Sequence, residues 1–208
     1  MNSINNNEIQ TQKIKRTICI GLGGTGRDVL MRIRRLIVDR YGDLTELPNV
    51  SFVHIDTDKA ASGVSGLKTG NIYHGVDLTF RDSEKVAATM TRIEVNNFVE
   101  ELKRRSSNYE GQPGVYEHIS RWFPPQLLKD LKAIDEGAKG IRPVGRLAFF
   151  HNYRKIKTAI DAAEKRTRGH ESTLIKKGLI VDRELNIFVV GSLCGGTGSG
   201  IFLDVAYC

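Results

Sequence analysis

Twice in this chain a short apolar run of β-forming residues ends in a dense glycine cluster that leads straight into a helical pattern. The first instance is Arg16-Thr17-Ile18-Cys19-Ile20, then Gly21-Leu22-Gly23-Gly24-Thr25-Gly26, then Val29, Leu30, Ile33, Leu36 and Ile37 at helical spacing. The second is Asn186-Ile187-Phe188-Val189-Val190, then Gly191-Ser192-Leu193-Cys194-Gly195-Gly196-Thr197-Gly198-Ser199-Gly200, then Ile201, Phe202, Leu203 and Val205. Runs that are apolar on both faces suit buried parallel strands. Val50-Ser51-Phe52-Val53-His54-Ile55 reads as another strand, closed by Asp56-Thr57-Asp58, so the first part of the chain forms one right-handed strand–helix–strand unit. The expected fold class is α/β: a three-layer, Rossmann-like, mostly parallel sheet flanked by helices. Both glycine turns then lie at the carboxyl ends of strands and face one sheet edge, where open α/β sheets bind ligands.

The remainder of the chain is less regular. Residues 1–13 are polar and aperiodic and read as a flexible tail, leaving 14–208 for the folded domain. Ala60 to Gly75 reads as a loop with a short strand near Asn71-Ile72-Tyr73. Residues 75–135 read as a helical insertion, with a helix over 82–105 carrying Val86, Met90, Ile93, Phe98 and Leu102. Gln112-Pro113-Gly114 is a turn, Trp122 a core anchor, and Gln126 to Asp135 a further helix. After the break at Gly137-Ala138-Lys139-Gly140, one helix is expected from Gly145 to about Arg166, with Phe149, Tyr153, Ile156, Ile160 and Ala163 as its core stripe. Residues 167–184 are polar and read as a second insertion.

Charge and cysteine content narrow the function classes. The chain has 31 Lys and Arg against 24 Asp and Glu, a net charge of +7, which suits an anionic partner. The excess is dispersed over Arg32, Arg34 and Arg35, over Lys103, Arg104 and Arg105, and over Lys165, Arg166 and Arg168. Such triplets read as solvated helix faces and helix ends. They are not interleaved with aromatics as a nucleic-acid groove requires, so nucleic acid is not the expected partner. Cys19, Cys194 and Cys208 have no metal-ligand spacing, and an odd count fits a reducing cytoplasm. No apolar stretch is long enough to span a membrane, and the amino terminus does not read as a secretory signal.

The glycine turns carry the chemistry. Small residues let the backbone approach a phosphate, and the following helix supplies free N–H groups and a positive dipole end. Gly21 to Gly26 satisfies G-x-G-x-x-G, the dinucleotide fingerprint. It is not a Walker A loop, because Arg27-Asp28 stands where Lys-[Ser/Thr] is needed. Thr197 and Ser199 offer hydroxyl donors beside the second turn. One reading is therefore an NAD(P)- or FAD-dependent oxidoreductase using Gly21, Gly23 and Gly26, with Asp56 or Asp58 on the ribose. That acid lies about thirty residues past the fingerprint rather than the usual twenty or so, and the second turn has no use there.

Four segments together resemble the tubulin/FtsZ superfamily, in particular its bacterial tubulin-like members. Cys194-Gly195-Gly196-Thr197-Gly198-Ser199-Gly200 is close to the tubulin signature loop, departing only at Cys194. Gly21 to Gly26 resembles the first glycine loop, Ile55-Asp56-Thr57-Asp58 the loop after the second strand, and Gly137 to Arg146 the loop near the terminal phosphate. The resemblance implies a GTP- or GDP-binding domain. Carried over by position, Gly21, Gly23, Gly24, Thr25 and Gly26 would contact the α- and β-phosphates. Gly195, Gly196, Thr197, Gly198, Ser199 and Gly200 would cradle the β- and γ-phosphates. Ala138, Lys139, Gly140 and Arg142 would lie near the γ-phosphate. Asp58, or Asp56, would reach Mg²⁺ through water. Backbone nests bind phosphate without a lysine, which agrees independently. Arg142 could instead form a surface ion pair, and each Asp could cap its turn.

Arg27, Asp28 and Met31 stand where the family places ribose and base contacts, and Met31 cannot make a polar one. The acidic loop with which the family activates water on a neighbouring subunit has no counterpart here. The chain is thus expected to be the front of a longer protein, with no catalytic residue of its own. In the family such domains self-associate into filaments and complete GTP hydrolysis between subunits. A tubulin-like scaffold that does not hydrolyse GTP is the other alternative.

Overall fold

The computed structural model describes residues 11–62, 71–107 and 117–208. In chain order the elements are β1 (Gln12–Leu22), α1 (Gly23–Tyr41), β2 (Val50–Asp56), α2 (Lys59–Ser62), β3 (Ile72–Tyr73), β4 (Val76–Asp77), β5 (Lys85–Ala87), α3 (Arg92–Ser107), α4 (Glu117–Ser120), α5 (Arg142–His151), α6 (Tyr153–Arg166), α7 (Glu171–Ile175), β6 (Leu179–Gly191) and α8 (Gly196–Ala206). The main sheet has the order β5-β2-β1-β6, and every pairing in it is parallel. Helices cover both faces, so the α/β class read from the sequence holds. Leu22 is level with Ile55 on one side and with Gly191 on the other. Three strands therefore end at one edge, and both glycine turns are there. Among the described residues no helix is long and apolar enough to cross a membrane.

Alternation along the strands divides the core into two faces. Ile18, Ile20, Leu22, Val53 and Ile55 point to one side, where they meet Phe149, Ile156, Ile160, Ile201 and Val205. Cys19 and Phe52 point to the other, against Leu30, Ile37, Phe80 and Leu174. A third cluster lies under α3, joining Val95, Phe98 and Leu102 to Phe123, Ile134 and Leu147.

Several sequence expectations are corrected. The helix expected over 82–105 begins only at Arg92. Before it come a short turn at Asp82–Glu84 and the strand β5. Val86, Ala88 and Met90 are buried while Ala87 and Thr89 are less so. That period of two belongs to an extended chain, and it coincides with helical spacing at Val86 and Met90. The expected helix 126–135 is one 3-10 turn, Pro125–Leu128, followed by an extended stretch in which Ile134 bridges to Met90. The expected helix 145–166 is two helices separated at Asn152, whose side-chain amide donates to Thr89 O and Ala148 O. An Asn that bonds to backbone competes with helix continuation. Tyr153 is consequently exposed rather than part of the stripe. The stretch 167–184 is not all insertion, since α7 lies in it and β6 starts at Leu179. Phe123, not Trp122, is the deeply buried aromatic of its loop. Arg34 is also buried rather than on a solvated face. The turn at 112–114 and residues 1–10 lie outside the described residues, while Gln12 and Lys13 of the expected tail are the first residues of β1, paired with Leu179 and Ile180.

Candidate functional site

Gly23 turns the chain from β1 into α1 with φ of +68°, a conformation that glycine takes at least cost. A Cβ on Gly23 would also stand 3.3 Å from Thr197 Cβ. Gly21 and Gly26 serve close packing of helix on sheet. A Cβ on Gly21 would lie 2.8 Å from the Gly26 carbonyl, and one on Gly26 would lie 2.7 Å from Val190 O. Gly24 is different, because a Cβ there meets nothing within 4 Å. The start of α1 is thus pressed against β1 and β6 on its inner side and open on its outer side.

The second turn is built the same way. A Cβ on Gly198 would lie 2.5 Å from Ser192 O, one on Gly196 2.8 Å from Ala138 Cβ, and one on Gly200 2.7 Å from Arg142 O. These contacts bring the starts of α5 and α8 together at backbone distance. Gly195 and Gly140, like Gly24, are open. The N-caps of α1, α5 and α8 are Leu22, Ile141 and Gly195, and none caps its helix with a side chain. The first N–H groups of α1 and α8, and that of Arg142 in α5, whose second residue Pro143 has none, therefore lack intrahelical partners along one sheet edge. Helix starts with free N–H groups and positive dipole ends are the kind of environment in which anions such as phosphate are held.

Beneath this edge lies a polar floor. Asp56, Thr57 and Thr197 are buried. Ala138 N donates to Thr57 Oγ1 at 2.9 Å, Thr57 Oγ1 and Thr197 Oγ1 are 2.5 Å apart, and Thr197 Oγ1 donates to Asp56 Oδ1 at 3.5 Å. Asp56 Oδ1 also accepts from Asp58 N at 3.1 Å. Burial pushes the Asp56 carboxyl above the usual carboxylate range, opposed by its backbone donors and by His54. His54 is fully buried, stacks on Phe80 with centroids 5.7 Å apart, and donates from Nε2 to Gly23 O at 3.2 Å. Burial holds its pKa below the ordinary value, and Nδ1 has no partner.

The sequence-selected residues thus gather at one edge, but not all face it. Thr197 spends its hydroxyl on the floor, and Ser199 donates to Gly195 O at 2.6 Å, so neither adds a hydroxyl to the open side. Asp58 Oδ1 accepts from Ala60 N at 2.8 Å, an Asp turn of the kind weighed from sequence. Lys139 is exposed, has φ of +48°, and pairs with Glu136 at 3.0 Å. Arg142 is exposed at the start of α5. Arg27 and Asp28 are exposed on the first turns of α1 and pair with each other at 3.2 Å. Met31 packs against the core on that face. Thr57 and His54 were missed by the reading of the sequence. Thr57 lies inside the quoted Ile55–Asp58 motif, where only the acids drew attention, and nothing local marks His54.

Among the described residues no group of three or more His, Cys, Asp or Glu could hold a metal ion. A phosphate-bound Mg²⁺ does not need one, since it takes one or two carboxylates beside phosphate oxygens and water. A family model described as tubulin like matches residues 18–208. No curated protein and no solved structure matches the chain.

Proposed function

The chain belongs to the tubulin-like family, and on that premise we propose that it binds a guanosine di- or triphosphate at the sheet edge where α1, α5 and α8 begin. The observation that carries the reading is the convergence of three helix starts without side-chain caps, with glycines open at 24, 140 and 195. In this reading the N–H groups of Gly23, Gly24 and Thr25 hold the α- and β-phosphates, while Gly21 and Gly26 allow the close packing. The start of α8, Gly195 to Gly200, holds the β- and γ-phosphates through backbone donors. Lys139 and Gly140, with Arg142, face the γ-phosphate. Asp58, half-buried at the strand end, reaches Mg²⁺ through water, and Asp56 supports Thr197 from below. Arg27 and Asp28 lie toward the ribose and base. Nucleotide binding drives self-association into filaments, and hydrolysis is completed between subunits of the full-length protein.

Binding of labelled GTP, ATP and NAD to the purified chain, with and without Mg²⁺, tests the reading. Selective GTP binding strengthened by Mg²⁺ is expected. Preference for NAD would reinstate the dinucleotide reading. Sedimentation on addition of GTP to the full-length protein tests assembly, and sedimentation without phosphate release would make the protein a non-hydrolysing scaffold.

A further inference from the structure

Thr57 touches two of the loops at the candidate site, the 137–140 loop through its backbone and hydroxyl and the start of α8 through Thr197. It follows β2 directly and is fully buried. Its carbonyl accepts from Gly137 N at 3.2 Å and its hydroxyl from Ala138 N at 2.9 Å. Next to it Lys59 N donates to Asp135 O at 2.8 Å. The loop 137–140 is costly to hold, since Gly137, Lys139 and Gly140 all have positive φ, of 85°, 48° and 77°. A non-glycine residue in that region stays only where its surroundings dictate it. Thr57 fixes the first two amides of the loop, and Ile141 N closes it on Ala138 O at 2.8 Å. Between these anchors the amides of Lys139 and Gly140 have no protein partner among the described residues.

The donor count sets the direction of the network. A threonine hydroxyl has one proton to give. Thr57 Oγ1 accepts from Ala138, and the order that leaves neither hydroxyl proton unpaired sends its proton to Thr197 Oγ1 and the Thr197 proton to Asp56. The order Ala138 N–H, Thr57 O–H, Thr197 O–H, Asp56 carboxylate satisfies every member, and each bond polarises the next. The network joins the 137–140 loop to the first turn of α8 across β2.

We propose that Thr57 is a positioning residue that sets the spacing between the 137–140 loop and the start of α8, and thereby sets the preference of the site for a nucleoside triphosphate over a diphosphate. The inference rests on the nucleotide reading above. A terminal phosphate needs donors from both loops at once, whereas a diphosphate is held by the starts of α1 and α8 alone. Without the Thr57 hydroxyl the Ala138 amide is left buried and unpaired, the loop relaxes from its left-handed conformation, and only the terminal phosphate loses contacts.

The test is the ratio of dissociation constants for GDP and for a non-hydrolysable GTP analogue, measured on wild type, Thr57→Val and Thr57→Ser. Thr57→Val is expected to lower the triphosphate preference about tenfold, the scale of one buried hydrogen bond. GDP affinity should stay within about twofold, and Thr57→Ser should restore the ratio, because it keeps the hydroxyl. Equal loss of both nucleotides, or an unchanged ratio in Thr57→Val, overturns the proposal while leaving the nucleotide site in place. A wild type that binds both nucleotides equally also overturns it. A wild type that binds neither removes the nucleotide reading itself, and the proposal with it. Should Thr57→Val fail to fold, amide exchange on wild type decides. The analogue, but not GDP, should slow exchange at residues 138–140, and equal slowing by both overturns the proposal.

Discussion

At the scale of single residues, the glycines that look alike in sequence divide into two kinds once their surroundings are known. Gly21 and Gly26 are packing glycines, since an added Cβ would press on backbone that cannot move aside. Gly26→Ala should therefore lower stability by about 2 kcal/mol or more, seen as an earlier urea midpoint. Gly24 faces open space, so Gly24→Trp should leave that midpoint nearly unchanged while weakening GTP binding at least about tenfold. Equal GTP affinity in wild type and Gly24→Trp would place the ligand elsewhere. Cys194 gives a second probe of the same edge. It is exposed next to Gly195, while burial pushes the Cys19 thiol up to about 11 and raises Cys208 as well. Iodoacetamide should label Cys194 first, and bound GTP should slow that labelling, as followed by peptide mass spectrometry. His54 adds a pH dependence. Its folded pKa lies below its unfolded value near 6.5, so below about pH 6.5 the unfolded chain binds the extra proton and stability falls as pH falls. The slope is at most about 1.4 kcal/mol per pH unit. Asp56, shifted upward, opposes it at lower pH by taking its proton more readily in the folded chain. His54→Phe should flatten the fall in thermal midpoint between pH 7.5 and 5.5, and an unchanged slope would mean that another group is responsible.

At the scale of elements, what the sequence revealed and what it hid have different physical causes. The β1–α1–β2 unit and the β6–α8 turn were legible because apolar runs, glycines and helical spacing all pointed the same way. The candidate site was legible for the same reason, except for Thr57 and His54, whose roles depend on partners far along the chain. At 82–91 and 126–135 the helical expectation fails, while 92–105 is helical as expected, because tertiary contacts override local pattern in the first two stretches. Arg34 is the clearest example. From α1 it donates to Leu78 O and Thr79 O, each at 3.0 Å, and to Glu84 at 2.6 Å, with its guanidinium carbon 4.6 Å and 4.2 Å from the Phe52 and Phe80 ring centroids. It pins the 78–84 stretch against α1, leads the chain into β5, and leaves no room for the helix that the spacing suggested. In sequence it was one of three arginines on a helix and read as solvated. Arg34→Met should cost about 3 kcal/mol in urea unfolding, because it strands the Glu84 carboxylate in a mostly buried place. Adding Glu84→Gln should recover part of that loss. A full additive loss would mean that the ion pair does not hold the segment.

At the scale of the whole molecule, the open side of the sheet governs how this 208-residue chain behaves in solution. β6 runs for 13 residues and pairs only with β1 among the described residues. The sequence reading treated Ile187 and Phe188 as buried, yet they are 51% and 54% exposed, one on each face of the strand. Phe202 and Leu203 of α8, and Tyr207 just after it, are exposed as well. A long strand edge with free backbone groups and apolar side chains is a template for pairing with another strand. At low salt the net charge of +7 keeps copies apart, beside the charged Asp182, Arg183 and Glu184 near the start of the strand. Raising the ionic strength screens that repulsion and leaves the apolar attraction intact. The 208-residue chain should therefore self-associate with rising salt and concentration even without nucleotide. Phe188→Lys puts a charge on the open edge and should return the sedimenting species to the monomer mass of 23.2 kDa without changing GTP affinity. The two kinds of association should thereby be separable: the salt-driven one is expected to be removed by Phe188→Lys, and the proposed nucleotide-driven assembly of the full-length protein by Gly24→Trp. If Phe188→Lys leaves the salt-driven association intact, the surface responsible is not the β6 edge.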